Sequence, residues 1–371
     1  MHKNSKINLK CTNCGTETTL SVRNLHCFNC GSLYDLRYSA PAEPTAPRLP
    51  LRSLSRVSLG EGNTPIVELT RTASVLGLSK LWAKQEFMSP TGSFKDRGSS
   101  ITVSAAVEEG VEEVVEDSSG NAGASLAAYC SAGGVRAHVF APADAPPGKL
   151  QQISMFGATL HSIAGPRQAA TDAALEFVAA NEAVYLSHNE SPLFIEGLKA
   201  VAYELVMSVA SDATHIVIPT GNGSLLMGLR KGFDELIEAG VIDASPRLHC
   251  IQSVAVRPLE SKINEAEWQY DPLIRTIAGG IASPFPPRLG EALDAVRSTG
   301  GSAVAVPDSE TLDWQRKLAI QEGIYCEATS AVALAGLFKL IDIGVIQRGD
   351  AVVVPITGSG LKESRPSHQA A

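Results

Sequence analysis

From about residue 80 onward, short apolar runs alternate with stretches whose apolar positions recur at helical spacing. VEEVVED at 111–117 predicts a strand, and GASLAAYCSA at 123–132 a helix. VRAHVFAP, a helical stretch around Leu150–Phe156, TLHSIAG, a helix from Arg167 to Ala180 and AVYLSH follow. A helix from Ile195 to Ala210, THIVIPTG, another helix and RLHCIQSV continue the series. VAVP, two more helical stretches and AVVVPITG close it. Strands alternating with helices predict an open α/β architecture with mostly parallel strands. In such folds ligands sit where loops leave the carboxyl ends of strands. Those loops are therefore the places to look for chemistry.

The start of the chain breaks this pattern. Cys11 and Cys14, then Cys27 and Cys30, form two CxxC turns separated by twelve residues, each followed by a glycine, Gly15 and Gly31. Four thiolates at this spacing suit one tetrahedral Zn²⁺ in a structural site, with no position left open for catalysis. His26 reads as a surface residue. After Tyr38, the stretch 40–50 carries Pro41, Pro44, Pro47 and Pro50 and reads as an extended tether. A boundary is expected there, with residues 1–38 as a ribbon-like module and 39–59 as a linker.

Composition narrows the function classes. The chain has 371 residues, enough for two or three domains, and a net charge of −8, which argues against general nucleic-acid affinity. No apolar run is long enough to span a membrane, and Met1–Lys10 is too polar for a signal peptide. Seven cysteines without such a peptide suggest a reducing, cytoplasmic setting. Cys130, Cys250 and Cys326 read as core. Trp82, Trp268 and Trp314 are too dispersed for a cage. The acidic cluster Glu108, Glu109, Glu112, Glu113 and Glu116 reads as a solvated face, and His161, His215 and His249 as structural.

Four loops carry candidate chemistry. SPTGSFKDRG at 89–98 places Lys95 in a turn that opens a helix. DSSGNAGAS at 117–125 runs from a strand into a helix, where amides and dipole make an anion seat, and Asn121 adds a donor. PTGNGSLLMG at 219–228 suits a phosphate held by backbone amides, but it has no Walker lysine and does not spell GxGxxG. PITGSGLK at 355–362 brings Thr357 out at a strand end.

In this order, the four loops resemble those of the tryptophan-synthase-β-like, or fold type II, pyridoxal-phosphate enzymes. More narrowly, the chain is similar to the threonine synthase family over essentially its whole length. GEGNTPIVEL at 60–69, IEGLKAVAYEL at 195–205 and EGIYCEATSAVALAGL at 322–337 extend the likeness. The resemblance implies two open α/β domains behind a zinc ribbon: residues 60–104 with 190–371 binding cofactor, and 105–189 forming a smaller, mobile domain. It implies pyridoxal phosphate as cofactor, an amino-acid substrate and a homodimer. Lys95 would be the amine that condenses with the cofactor aldehyde and later carries protons. Asn121 would bond the ring hydroxyl, and Thr357 the pyridine nitrogen. Gly221, Asn222, Gly223, Ser224 and Leu225 would hold the cofactor phosphate. Ser118, Ser119 and the neighbouring amides would receive the substrate carboxylate, with Ala122, His188, Asn189 and Phe194 beside them. A hydroxyl at the pyridine nitrogen leaves the ring a weaker electron sink, which suits elimination and replacement better than transamination.

The implied activity is conversion of O-phospho-L-homoserine and water to L-threonine and phosphate. The chain departs from that family at one telling place. Phe194 stands just before the IEG triplet, where the family has an arginine that grips the leaving phosphate. Ala122 replaces a hydroxyl residue, Ser359 a histidine and Ser89 an asparagine. A phenyl ring cannot replace a bidentate guanidinium. Arg97, Lys199, Lys362 and His188 are the candidate substitutes. The alternatives are β-replacement on phosphoserine, of the cysteate synthase type, and a serine or threonine dehydratase.

Overall fold

The computed structural model describes residues 7–363 except 54, 55, 144, 146 and 166. Most of the polar start, Met1–Lys10, lies outside the described residues. Strands β1 (Ile7–Cys11), β2 (Glu17–Thr19) and β3 (Tyr34–Tyr38) form an antiparallel sheet in the order β2-β1-β3. Gly15 and Gly31, both at φ +74°, close the CxxC turns, a conformation glycine adopts without steric cost. The four Sγ atoms all lie within 4.8 Å of one another.

The ribbon does not hang free. Leu9, Val22, Tyr34 and Leu36 share one core cluster with Val103, Ala106 and Leu126 of the main body. The proline-rich stretch is likewise fastened: Arg48 donates through Nε to Glu235 (3.0 Å) and through a terminal nitrogen to Glu238 (2.9 Å). It is a strap laid on the body, where the buried Glu235 carboxylate is met by a cation.

The chain next lays down β4 (Ile66–Glu68) and β5 (Lys80–Lys84). It leaves for a second sheet, β6 (Glu113–Glu116), β7 (Arg136–Pro142), β8 (Thr159–Ile163) and β9 (Val184–Tyr185). It returns as β10 (His215–Pro219), β11 (Arg247–Ser253), β12 (Ala303–Val306) and β13 (Ala351–Pro355). The large sheet has the order β12-β11-β10-β13-β5-β4, parallel except for the edge strand β4. The smaller sheet, β8-β7-β6-β9, is parallel throughout. β10 and β13 are buried at every position, as strands covered on both faces must be. Val352 and Val354 face one apolar cluster and Val353 the other, so the period of two feeds two separate cores.

Two sequence expectations need correction. The helix expected from Ile195 to Ala210 is two segments, Pro192–Leu198 and Ala200–Val206. The ladder tightens where Lys199 N bonds back only three residues, to Glu196 O. The acidic cluster is also only in part a solvated face, with Glu112 exposed but the others engaged. Glu109 accepts from Ser21 and Val22, Glu108 from the amides of Arg52 and Ser53, and Glu113 from His138. Glu116 is buried.

Candidate active site

Every loop singled out above opens at the carboxyl end of a strand. The Lys95 turn follows β5, Thr357 follows β13, the glycine loop follows β10, and Ser118–Asn121 follows β6. Lys95 is the first residue of the helix Lys95–Glu108. Asp96 fixes its turn by accepting from the Thr91 amide (2.7 Å) and hydroxyl (2.5 Å). An antiparallel bridge from Ser93 to Gly358, and a Phe94 N–H to Thr357 O bond of 3.1 Å, tie that turn to the β13 loop.

Among the described residues, Lys95 Nζ has no hydrogen-bond or ion-pair partner; the Phe94 ring lies 4.2 Å away and the Phe194 ring 5.8 Å. Burial pushes its pKa down to about 8, against the opposing pull of Glu116 and Glu327. About one tenth of the amine is therefore neutral at pH 7, the form a nucleophilic amine requires.

Asn121 begins the helix Asn121–Gly133 and sits between opposite charges. Its Nδ2 donates to Glu327 Oε2 (2.8 Å), and its Oδ1 accepts from Lys362 Nζ (2.6 Å). Lys149 pairs with the other oxygen of Glu327 at 3.1 Å. Thr357 and Ser330 share a buried hydroxyl contact of 2.9 Å. Ser118 Oγ accepts from the Gly120 amide, and the loop folds so closely that a Cβ on Gly123 would lie 1.9 Å from Ser118 O. Ala122 is buried in the first turn of that helix.

The glycine loop is closely packed at its backbone. Gly223 has φ +85°, and a Cβ there would come within 2.8 Å of Ala292. A Cβ on Gly221 would lie 3.0 Å from Ile281 Cα. The side chain of Asn222 is engaged elsewhere, donating to Asn189 Oδ1 (2.5 Å) and accepting from Ser283. No side chain caps the fifteen-residue helix that begins at Ser224, so its first amides remain free for an anion.

Phe194 lies flat on Gly98, where a Cβ would meet the ring at 2.5 Å. The His188 ring meets Phe194 edge-on, with centroids 5.9 Å apart. His188 Nδ1 bonds Glu116 Oε1 at 2.9 Å. Two of the four cations considered as substitutes for the missing arginine are elsewhere. Arg97 is buried between Glu86 and Glu204, at 2.6 Å from each. Lys199 is buried against Glu196 and Glu235. Sequence reasoning missed Glu116, Glu327, Lys149, Ser283 and Ser330. Glu327 stood inside a quoted motif, and Glu116 was hidden in an acidic run.

A convergent lysine, an uncapped anion cradle and a buried hydroxyl at the mouth of a parallel sheet are the requirements of a pyridoxal-phosphate enzyme. The family model described as "Pyridoxal-phosphate dependent enzyme" matches residues 57–358, and the chain belongs to that family, with a fold type II α/β architecture and lyase-type chemistry. The threonine synthase of Methanocaldococcus jannaschii is 36% identical over 320 residues, 85% of this chain and 79% of that protein. That of Methanosarcina acetivorans is 34% identical over 373 residues, 96% and 92% of the two chains. The fold is similar to maize serine racemase (TM-score 0.72, 22% identity, 81% of this chain and 88% of that one). It is also similar to threonine deaminase isoform 2 from Solanum lycopersicum (TM-score 0.71, 18% identity, 86% and 89%).

Proposed function

We propose that the protein catalyses pyridoxal-phosphate-dependent elimination or replacement on an amino acid whose β or γ carbon bears an oxygen leaving group. The observation that carries this is Lys95, a partly buried amine with its pKa lowered to about 8, in a turn tied to the Thr357 loop by the Ser93–Gly358 bridge. The cofactor, when bound, withdraws electrons from the substrate's α carbon and so acidifies its proton. Lys95 takes and returns that proton. The amides of Gly221–Leu225 hold the cofactor phosphate, Asn121 the ring hydroxyl and Thr357 the ring nitrogen. Ser118, Ser119 and the amides before Asn121 orient the substrate carboxylate.

The curated relatives support O-phospho-L-homoserine as the first substrate to try, with threonine and phosphate as products. A second reading, action on a serine- or threonine-like substrate, is favoured by one observation: the Phe194 ring, not a guanidinium, lies beside Lys95. Incubating the cofactor-loaded protein with each substrate, and measuring phosphate, threonine, 2-oxo acid and ammonia, separates the two. A protein that binds no cofactor through Lys95 would end both readings.

The cysteine cluster is proposed to hold a structural Zn²⁺, on the convergence of four soft ligands without an open position. A cytoplasmic homodimer, with the 105–189 region closing over the substrate, is part of the same proposal.

A further inference from the structure

The identity of the leaving group can be read from the residues around Phe194, given the elimination chemistry proposed above. A phosphate ester and a free hydroxyl make opposite demands. Phosphate departs as a stable anion, its second pKa being about 6, and needs cations to receive it. A hydroxyl departs well only as water, since the conjugate acid of hydroxide has a pKa of about 15.7, and needs a proton donor.

The lysines and arginine considered for receiving a phosphate are each held by protein groups, Arg97, Lys149 and Lys199 by carboxylates and Lys362 by two neutral oxygens. Arg97 and Lys199 are neutralised in buried pairs away from this site. Lys149 is paired with Glu327, and Lys362 donates to Asn121 Oδ1 and Thr91 O. Where a phosphate clamp would be needed stands a phenyl ring, which cannot repay the desolvation of a dianion.

Beside that ring is a histidine held as a proton carrier is held. Buried Glu116 accepts twice from His188, from its backbone N–H at 3.3 Å and from ring Nδ1 at 2.9 Å. That contact assigns the Nδ1 proton to the carboxylate and leaves Nε2 as the exchanging nitrogen. Among the described residues Nε2 has no partner, while the ring packs on Phe194, itself 5.8 Å from Lys95 Nζ. We infer that His188, positioned by Glu116, is the general acid that protonates a departing hydroxyl, and that the substrate is an unphosphorylated β-hydroxy amino acid.

In the step, Lys95 removes the α proton and that electron pair becomes the Cα=Cβ bond. The Cβ–O bond breaks with its pair on oxygen, and His188, entering the step with both ring nitrogens protonated, gives up its Nε2 proton to make water; the proton taken by Lys95 passes to solvent, from which Nε2 is reprotonated. The released enamine takes up one water to give ammonia and a 2-oxo acid, so the net change is deamination.

The test uses the cofactor-loaded protein with L-serine, L-threonine, O-phospho-L-serine and O-phospho-L-homoserine. Equal yields of 2-oxo acid and ammonia from a hydroxy substrate are expected. His188→Asn should lower kcat about 100-fold, the lower range for a lost general acid, while cofactor absorbance and thermal midpoint stay unchanged. Glu116→Gln keeps a hydrogen-bond acceptor for Nδ1. It should retain more of kcat than Glu116→Ala, with KM unchanged in both, as a positioning role requires. The charged groups facing His188 are Glu116, Asp117 with its partner Arg167, and Lys95 across Phe194; Glu190 is turned to His26. Independently of turnover, nitrogen NMR of histidine-labelled protein should show an Nδ1-protonated ring whose signal disappears in His188→Asn.

Phosphate release from either ester at a kcat/KM above that of the hydroxy substrates would overturn the inference and hand the arginine's work to Lys149 or Lys362. Inertness of the loaded protein toward serine and threonine would overturn it too, as would an unaltered kcat in His188→Asn. Absence of Lys95-dependent cofactor absorbance would instead strike at the elimination chemistry itself.

Discussion

Lys95 shows how strongly a single side chain depends on what surrounds it. Its amine is pushed down to about 8 by burial, and two carboxylates nearby hold it from falling further. Below that pH the neutral fraction falls about tenfold per unit, since the protonated form cannot attack an aldehyde. The rate of cofactor reloading onto stripped protein should therefore rise with pH and level off above about 8; a flat profile from pH 6 to 9 would contradict the assignment. Lys95→Ala should abolish both the cofactor's visible absorbance and turnover, and a yellow, active variant would refute it. Phe194 offers the complementary gain. Phe194→Arg would place a guanidinium beside Lys95, and a charge-assisted contact with a buried anion is worth roughly 2–5 kcal/mol. Phosphate release from O-phospho-L-homoserine should then rise by one to three decades in kcat/KM. No change would show that this position does not govern phosphate recognition.

At the level of elements, the anion cradle depends on where β10 ends and the helix from Ser224 begins. The helix leaves its first amides unbonded, and the loop before it keeps side chains out of their way. Gly223 is the position that most needs a glycine, because it combines φ +85° with a 2.8 Å approach to Ala292. Gly223→Ala should weaken cofactor affinity about tenfold or more and destabilise the protein by roughly 1–3 kcal/mol. Fluorescence titration of stripped protein, together with thermal melting, reads both effects. Wild-type affinity in that variant would remove the glycine loop from the phosphate site. The helix Pro192–Leu198 shows the same economy: Gly197 lets its backbone approach Arg97 O, where a Cβ would lie 2.0 Å away. That contact carries Phe194 onto Gly98 and sets its place beside Lys95.

For the molecule as a whole, the ribbon is the informative part. It shares a core cluster with the body, and its Asp35 pairs with Lys231 of the helix Ser224–Glu238 at 2.7 Å. Tyr38 of β3 donates to Glu196 at 2.6 Å, inside the IEG helix that carries Phe194. If Zn²⁺ binds the four thiolates, its binding free energy contributes to folding of a module too small to be stable alone. A strong chelator should then lower the thermal midpoint of the full chain by several degrees, and added Zn²⁺ should restore it. An unmoved midpoint, with no zinc in the purified protein, would remove the metal from this account.

Much of the proposed site was legible in the sequence. Lys95, Asn121, the glycine loop and Thr357 lie in short runs whose glycines, hydroxyls and helix starts are local features, and local features survive in a one-dimensional reading. The alternation of apolar runs also fixed the α/β class, because a strand buried on both faces must be apolar throughout. Charge partnership was not legible. Glu116 meets His188 from 72 positions away, and Asn121 meets Glu327 from 206. Arg97 looked available to a substrate and proved to be locked between Glu86 and Glu204. The acidic run around Glu116 looked solvated and proved to be largely spent on the ribbon, the strap and a histidine. Composition counts charges, but whether a charge is free or neutralised depends on which distant segments the fold brings within about 4 Å, where a low dielectric makes pairing decisive. The sequence by itself determined the class of chemistry and singled out the loops proposed to hold the cofactor. Only the tertiary structure decided which ionisable groups remain to act on a substrate.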